Sequence, residues 1–184
     1  MSFLKDDYKL PQSNQNYFKF QQGENNFRIM SSAIVGYEYW NSSNKPVRLR
    51  EMWKKRPADI RIESNGSYRT NHFWAFVIWN YETNSIQIME ITQRTIQRAI
   101  KALVDNEKWG DPKSYDITIT KTGEGLETEY SVMPNPKSEV QKEIQEKFNA
   151  KSINLEALFE GKDPFQVEEI DESDLTNINE KIGN

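Results

Sequence analysis

Hydrophobic and polar residues alternate over several stretches of the chain, with the two-residue period of a half-buried β-strand. The firmest prediction is a β-hairpin over residues 72–92, where two runs rich in apolar residues are separated by the polar segment 82–84. A second hairpin is predicted at residues 115–132, where isoleucines alternate with threonines and two glycines mark the turn. Residues 27–40 and 46–50 carry weaker strand patterns, so about five strands are expected.

Two segments have the 3.6-residue period of an amphipathic helix. Residues 93–105 predict a helix with Thr92 as its N-cap, and residues 138–149 predict another that begins with a capping box of Ser138 and Gln141. The first helix lies between the two hairpins. That position is the one expected of a helix that bridges part of a small β-barrel.

The element order predicts a mainly β fold with short helices, and the five-stranded OB-fold barrel fits it best. A helix-capped sandwich is the alternative. We divide the chain into a flexible N-terminal arm (1–16), an OB-fold domain (17–136), a helical extension (137–162) and an acidic disordered tail (163–184). The tail carries seven acidic residues, one Lys and one aromatic ring, a composition that does not support a packed core.

Composition limits the class of protein. A chain of 184 residues with 36% hydrophobic content is expected to form one domain with appendages. It has no Cys, which removes disulfides and thiolate metal sites and suits a reducing compartment. The N-terminus lacks an apolar signal region and no stretch is long enough to span a membrane. We therefore expect a soluble cytoplasmic protein.

Charge is distributed unevenly along the chain. Residues 45–101 contain 11 Lys and Arg against 5 Asp and Glu, whereas residues 102–184 contain 9 against 19. The basic segment surrounds the aromatic run 73–81. Cations that follow phosphates and flat rings that stack on unpaired bases are what a single-stranded nucleic-acid binder needs.

The aromatic run has apolar residues on both of its faces. Ala75 and Val77 have the small or branched shape that suits a barrel interior, so we predict Trp74 and Phe76 as an exposed stacking pair. The alternative is a central strand covered on both sides, which needs no ligand. Tyr37 and Trp40 lie near a predicted bend at Gly36 and are the other predicted stacking residues.

Two further groups complete the predicted site. The phosphate contacts are assigned to cations of the basic segment: Lys45, Arg48, Arg50, Lys54, Lys55, Arg56 and Arg69, with Arg61 beside them. The tail residues predicted to dock a partner protein are Phe165, Glu168, Glu169, Asp171, Glu172 and Asp174. The cations of the first helix, Arg94, Arg98 and Lys101, are interpreted as a solvated face.

The sequence shows no set of residues that is typical of a catalytic site. His72, the single His, has no second His or Cys to complete a metal site and is interpreted as a strand-edge residue. The acidic residues at 111–129 straddle a hairpin turn, where acidic side chains are routine. We therefore predict no metal, no cofactor and no enzyme activity.

Several short motifs between residues 16 and 136 resemble those of tailed-bacteriophage single-stranded DNA-binding proteins. They are Trp-Gly-Asp-Pro-Lys-Ser-Tyr-Asp-Ile (109–117), Gly-Glu-Gly (123–125), Glu-Tyr-Ser-Val-Met-Pro (129–134), Tyr-Phe-Lys-Phe (17–20), Asn-Phe-Arg-Ile (26–29), Gly-Tyr-Glu-Tyr-Trp (36–40) and Phe-Trp-Ala-Phe (73–76). The resemblance implies an OB-fold that coats single-stranded DNA in phage replication and recombination, with an acidic tail for partners. The cooperative members of this family carry a compact basic cluster at the N-terminus. In this chain only Lys5 and Lys9 precede Lys19, so the resemblance does not extend to strong cooperativity.

The predicted function is sequence-independent binding and protection of single-stranded DNA. An RNA-binding OB protein is one alternative. A non-enzymatic adaptor barrel, whose aromatic patch and acidic tail bind another protein, is a second alternative from a different class. A nuclease is a weaker third, for want of a metal cluster.

Overall fold

The computed structural model describes residues 16–165. Its seven strands are β1 (Gly23–Ile29), β2 (Ile34–Trp40), β3 (Pro46–Leu49), β4 (Thr70–Asn80), β5 (Ser85–Ile91), β6 (Tyr115–Thr122) and β7 (Glu129–Lys137). The α-helices are α1 (Arg94–Asp105) and α2 (Lys142–Asn149), and the 3-10 helices are Pro112–Ser114, Gly125–Glu127 and Leu155–Glu160. The predicted mainly β fold with short helices is confirmed.

The strands form one antiparallel sheet in the order β3-β2-β4-β1-β6-β7, with β5 on the other edge of β4. β1 and β2 share one edge of β4, and the link between them crosses that edge at Val77, whose N–H donates to the Ser31 hydroxyl at 2.9 Å. Within residues 16–165 no ladder joins β5 to β7. The described sheet is therefore open, and the closed five-stranded barrel stays a prediction.

β4 is central because both of its faces are apolar. Its even-numbered side, here called the inner face, contributes Phe76 and Ile78 to a core shared with α1. Its odd-numbered side, the outer face, buries Ala75 and Val77 beneath the C-terminal extension, residues 138–165. The prediction that Phe76 is exposed is wrong, since its side chain is 2% exposed. The alternative, a strand covered on both sides, describes β4 correctly along most of its length.

The C-terminal extension completes the outer face. Ile144 of α2 packs with Trp79 and Val77, and Leu158 of the last 3-10 helix packs with Phe73. Gly161 ends that helix in the left-handed conformation, at φ 69°. Val140, Ile144 and Phe148 all contribute to this outer core, but only Ile144 and Phe148 lie on α2, because the helix begins at Lys142.

Helix starts differ from the predicted caps. α1 begins one residue later than expected, with Gln93 rather than Thr92 at the N-cap and no side-chain cap bond. Ser138 does not cap α2, whose N-cap is Gln141. Instead, the carbonyl and the hydroxyl of Ser138 accept hydrogen bonds from the guanidinium of Arg28 at 3.0 and 2.7 Å. A buried guanidinium needs several acceptors, and Ser138 supplies two of them.

Arg28 is the largest buried charged side chain among the described residues, at 1% exposure. It pairs with Asp116 on the neighbouring strand β6, and the Tyr81 hydroxyl donates to the same carboxylate at 3.0 Å. Burial, and then the Asp116 charge, raise the pKa of Tyr81 to about 12. These bonds join β1, β6 and the start of the extension.

Candidate nucleic-acid interface

α1 does not cover the whole inner face, and side chains are exposed there where β2 pairs with β4. The register places Val35 opposite Trp74 and Tyr37 opposite His72, so these four side chains lie on one side of the sheet. Val35 is 52% exposed, and the other three are partly exposed. The Tyr37 and His72 rings meet edge to face at 5.4 Å. We call this row the ring face, together with Trp53, which extends it.

Trp53 reaches the ring face because the loop after β3 folds back over it. The Trp53 ring meets the Tyr39 ring at 5.4 Å and nearly at a right angle. The Tyr39 hydroxyl bonds the Asp59 carboxylate at 3.1 Å, and the Arg61 N–H donates to the Trp40 carbonyl at 2.8 Å. Residues 50–69 thus hold a defined path with little regular structure, as their weak pattern predicts.

The loop that carries Trp53 also carries exposed cations. Lys54, Lys55, Arg56 and Arg69 are exposed, and within residues 16–165 none of them forms a salt bridge. Arg56 lies over the exposed Tyr68 ring at 5.5 Å. Side chains with no carboxylate partner are available to phosphates. The structure therefore leaves four of the seven predicted phosphate contacts accessible here, and Lys45 is also exposed, at the β2–β3 turn.

The other two predicted contacts are already engaged. Arg48 points to the outer face, where it pairs with Glu38 at 3.2 Å and Glu90 at 2.7 Å with a side chain only 12% exposed. β3 places Arg48 across from Glu38, so this predicted phosphate contact is held by two carboxylates rather than exposed to solvent. Arg50 pairs with Glu156 and lies over the Phe159 ring at 4.4 Å, so it holds the C-terminal extension.

Two carboxylates share the single guanidinium of Arg48, and this affects the titration of one of them. Burial raises the pKa of Glu38, the Arg48 charge lowers it and the Glu90 charge raises it further, with burial the largest effect. The net direction is upward. Glu38 is therefore harder to ionise in the folded protein than in the unfolded chain.

The four predicted stacking residues are separated by strand geometry. Tyr37 and Trp74 lie together on the ring face, Phe76 is in the core, and Trp40 lies three residues from Tyr37 and so on the opposite side. Trp40 is 40% exposed. Trp53 was not among the predicted stacking residues, because only the fold of the loop brings it to Tyr39. His72 was interpreted as an edge residue, because its contact with Tyr37 depends on the strand register.

α1 also contributes to this surface. The Gln97 amide donates to the His72 and Ile91 carbonyls at 3.0 and 2.9 Å, which fixes the helix beside β4. A shallow pocket of about 340 Å³ then forms between Trp74 and the helix, with Arg98 and Lys101 on its wall. Two of the three cations that were interpreted as a solvated face, Arg98 and Lys101, therefore lie next to a ring of the candidate interface.

The predicted docking tail lies mostly outside the described residues: Glu168, Glu169, Asp171, Glu172 and Asp174. Phe165 is described, and it packs against the outer core with its ring 6.4 Å from that of Tyr17. The prediction that Phe165 belongs to a free tail is wrong. The start of the predicted tail, residues 163–165, is part of the folded extension.

Residues 16–165 contain no group of three or more His, Asp or Glu side chains placed to hold a metal ion. None of the helices in this range is long and apolar enough to cross a membrane.

A curated relative matches the chain at low identity. It is a protein of Escherichia phage T5 named "Probable ssDNA-binding protein", 23% identical over 159 aligned residues that cover 74% of this chain and 61% of the relative. The chain thus spans about three fifths of that protein's length. No protein-family profile matches the sequence, and no solved structure matches it.

Proposed function

We propose that the chain is a non-enzymatic protein that binds single-stranded DNA without sequence preference. The observation that carries the proposal is the ring face: partly exposed rings on adjacent strands, extended by a loop whose four exposed cations have no carboxylate partner among residues 16–165. The phage T5 relative named as a probable ssDNA-binding protein supports the same class of ligand.

The chemistry is stacking and charge neutralisation. Rings such as Trp74 and Tyr37 offer flat surfaces to unpaired bases, and every base has a π-face, so stacking tolerates any sequence. Lys54, Lys55 and Arg69 neutralise phosphates and release counterions. Binding that favours the single strand shifts the duplex equilibrium by mass action, which makes the protein a stoichiometric destabiliser of hairpins.

The architecture proposed for this function is of the OB type. Pairing runs from β5 through β4 and the β1–β2 pair to β6 and β7, with α1 between β5 and β6. This is the path of a five-stranded Greek-key barrel when β1 and β2 are taken as one bent strand. A direct β5–β7 closure is the part of this architecture that backbone NMR contacts between the two strands would test.

A role in phage replication and recombination, in the host cytoplasm, is the wider proposal. Residues 166–184 contain six acidic residues and one Lys, which suits docking to a basic site on a replication or recombination protein. The motifs shared with tailed-bacteriophage proteins and the phage T5 relative support it.

A titration tests the core of the proposal. Matched oligomers of dT and rU and a duplex of equal length are titrated by fluorescence anisotropy at two salt concentrations. We expect tight binding of dT, weak binding of duplex and a log–log salt slope of about −0.7 per phosphate neutralised. Stronger binding of rU would favour the RNA-binding alternative, and no binding of any oligomer would favour the adaptor.

Paired variants test where the strand binds. Replacing Lys55 and Arg69 with Ala is expected to weaken binding and to reduce the salt slope by about 0.7 for each phosphate that is no longer neutralised. Lys142→Ala, at an exposed position of α2 on the other side of the sheet, is the matched control. A slope that falls equally in the control would place the phosphate path elsewhere.

A further inference from the structure

Trp74 lines a second cavity besides the shallow pocket next to α1. On its other side a more enclosed cavity of about 250 Å³ lies between the β1–β2 link, α1 and the turn at residues 111–113. Its lining includes Trp74, and we call it the Trp74 pocket. The same indole therefore forms a wall of both depressions.

The interior of the Trp74 pocket is apolar. Ile29 and Phe76 are 4% and 2% exposed, and Ile100 of α1 is 3% exposed. They leave a space that is bounded on one side by the flat indole and at the rim by Val104, which is 45% exposed. A flat ring that enters this space can stack on the indole of Trp74.

The charges around Trp74 favour an anionic ligand backbone. Each of the two acids in these depressions is paired with a Lys: Asp111 with Lys113 at 3.7 Å, and Asp105 with Lys101 at 2.7 Å. Asp111 also accepts the Lys113 backbone N–H and so caps the turn. Arg98, on the wall of the shallow pocket, forms no salt bridge among residues 16–165, so the two depressions taken together carry a net positive charge.

The size of the cavity limits its occupant. Pockets for drug-sized ligands occupy about 300–1,000 Å³, so about 250 Å³ holds a single ring system rather than a stack of bases. An unpaired base reaches such a pocket by rotating about its backbone, and the cost of this movement is lowest when no pairing is broken.

We propose that the Trp74 pocket captures one unpaired nucleobase of the bound strand. The base enters between Val104 and Ala33 and stacks on the indole, while its flanking phosphates lie towards Lys113 and Arg98. This inference rests on the proposed function and deepens it, because a paired base cannot enter. The pocket then becomes a source of preference for single strands over duplex.

The test fills the pocket from two sides. Val104→Trp and Ala33→Phe place bulk at the rim on α1 and on the β1–β2 link, respectively. Met133→Trp, at a position of β7 that is 65% exposed, is the matched control. Affinity is measured for oligo-dT and for an abasic deoxyribose-phosphate chain of the same length, with melting temperatures confirming that each variant is folded.

Both filled variants are expected to bind dT about 5- to 150-fold more weakly, the effect of one stacked base. Their affinity for the abasic chain stays unchanged, as does that of the control for either ligand. Filled variants that bind dT like the wild type would overturn the inference while leaving the proposed function intact. Wild-type protein that fails to bind dT at all would overturn both.

A second measurement uses the unaltered protein. A dT oligomer with one 2-aminopurine is expected to lose fluorescence on binding, because the captured base stacks on Trp74. Trp74→Leu keeps an apolar wall without the flat ring and is expected to restore most of that fluorescence. Unchanged 2-aminopurine emission in the wild-type complex, at every position of the label, overturns the inference even if the filled variants do not fold.

Discussion

Trp74 and Trp79 lie five residues apart on the same strand and have different surroundings. Trp74 is partly exposed on the ring face, whereas Trp79 is 3% exposed beneath α2. We expect Trp74→Ala to cost about 1–3 kcal/mol of single-strand binding, as loss of a stacked base does. Trp79→Ala is expected to cost about 3–5 kcal/mol of unfolding free energy instead.

Urea unfolding and dT titration of both variants separate these effects. The folded fraction of the Trp79 variant is expected to bind normally. The opposite pattern, in which Trp79→Ala alone weakens binding, would mean that the strand binds on the outer face.

Glu38 gives the fold a predictable pH dependence. Its pKa in the folded protein is above its ordinary value of 4.5, chiefly because it is buried. A carboxyl with a raised folded pKa stabilises the fold below its unfolded pKa and loses that contribution as pH rises through the folded pKa. Wild-type protein is therefore expected to lose stability relative to Glu38→Gln as pH rises from about 4.

The measurement is the urea midpoint of both proteins between pH 4 and 8. Glu143→Gln is a useful comparison, because Lys147 lowers the pKa of that exposed carboxyl and the pH trend has the opposite sign. A constant difference between wild type and Glu38→Gln at all pH values would contradict the raised pKa.

At the scale of elements, Gly36 controls how the C-terminal extension meets the sheet. A Cβ at this position of β2 would collide with the Leu49 carbonyl on one side and with the Phe159 and Phe73 rings on the other. The sequence pattern predicted a bend at Gly36. Its structural role is instead to let the last 3-10 helix approach the strand closely.

Gly36→Ala is accordingly expected to destabilise the protein by about 1–3 kcal/mol, as overpacking does. Gly66→Ala is the control for glycine loss in general, since no atom lies within 4 Å of its Cβ position, although its positive φ adds some strain. Limited proteolysis of the extension is expected to accelerate in the Gly36 variant only. Equal protection in both variants would show that Phe159 moves aside without consequence.

Much of this element structure follows from local patterns. The sequence predicted both hairpins and α1, because their periods and turn residues depend only on nearby sequence. The apolar positions of α2 were predictable for the same reason. The inner face of β4 was not predictable, because Phe76 and Val77 are both apolar and the difference between them depends on α1 and α2. Likewise, Arg48 of β3 meets Glu38 of β2 and Glu90 of β5 only after four strands have paired, because β4 joins β2 to β5.

At the scale of the whole molecule, the charge of the chain is divided between the basic loop and residues 166–184. Because residues 166–184 are joined covalently to the domain that carries the basic loop, their effective concentration at nearby surfaces is about millimolar, and we predict that their acidic side chains compete with DNA. Because Phe165 belongs to the folded extension, the informative truncation removes residues 166–184 only. It is expected to raise dT affinity at low salt, with a gain that shrinks as salt increases.

Anisotropy titrations of the full and truncated chains at several salt concentrations measure this effect. A chain in which the acidic residues of 166–184 are replaced by their amides controls for length. Affinity that is unchanged by truncation at low salt would remove the competition and leave docking as the remaining role of this segment.

The outer face has a consequence for biosynthesis. Its apolar strands β4 and β5 are complete once residue 91 is made, but their cover ends at residue 165. At about 5–20 residues per second, the ribosome needs about 4–15 s to make the rest. During that interval the nascent chain presents Phe73, Val77 and Trp79 to other molecules. A premature stop before α2 therefore yields an aggregating polypeptide rather than a weaker binder, and early chaperone contact is expected at these strands.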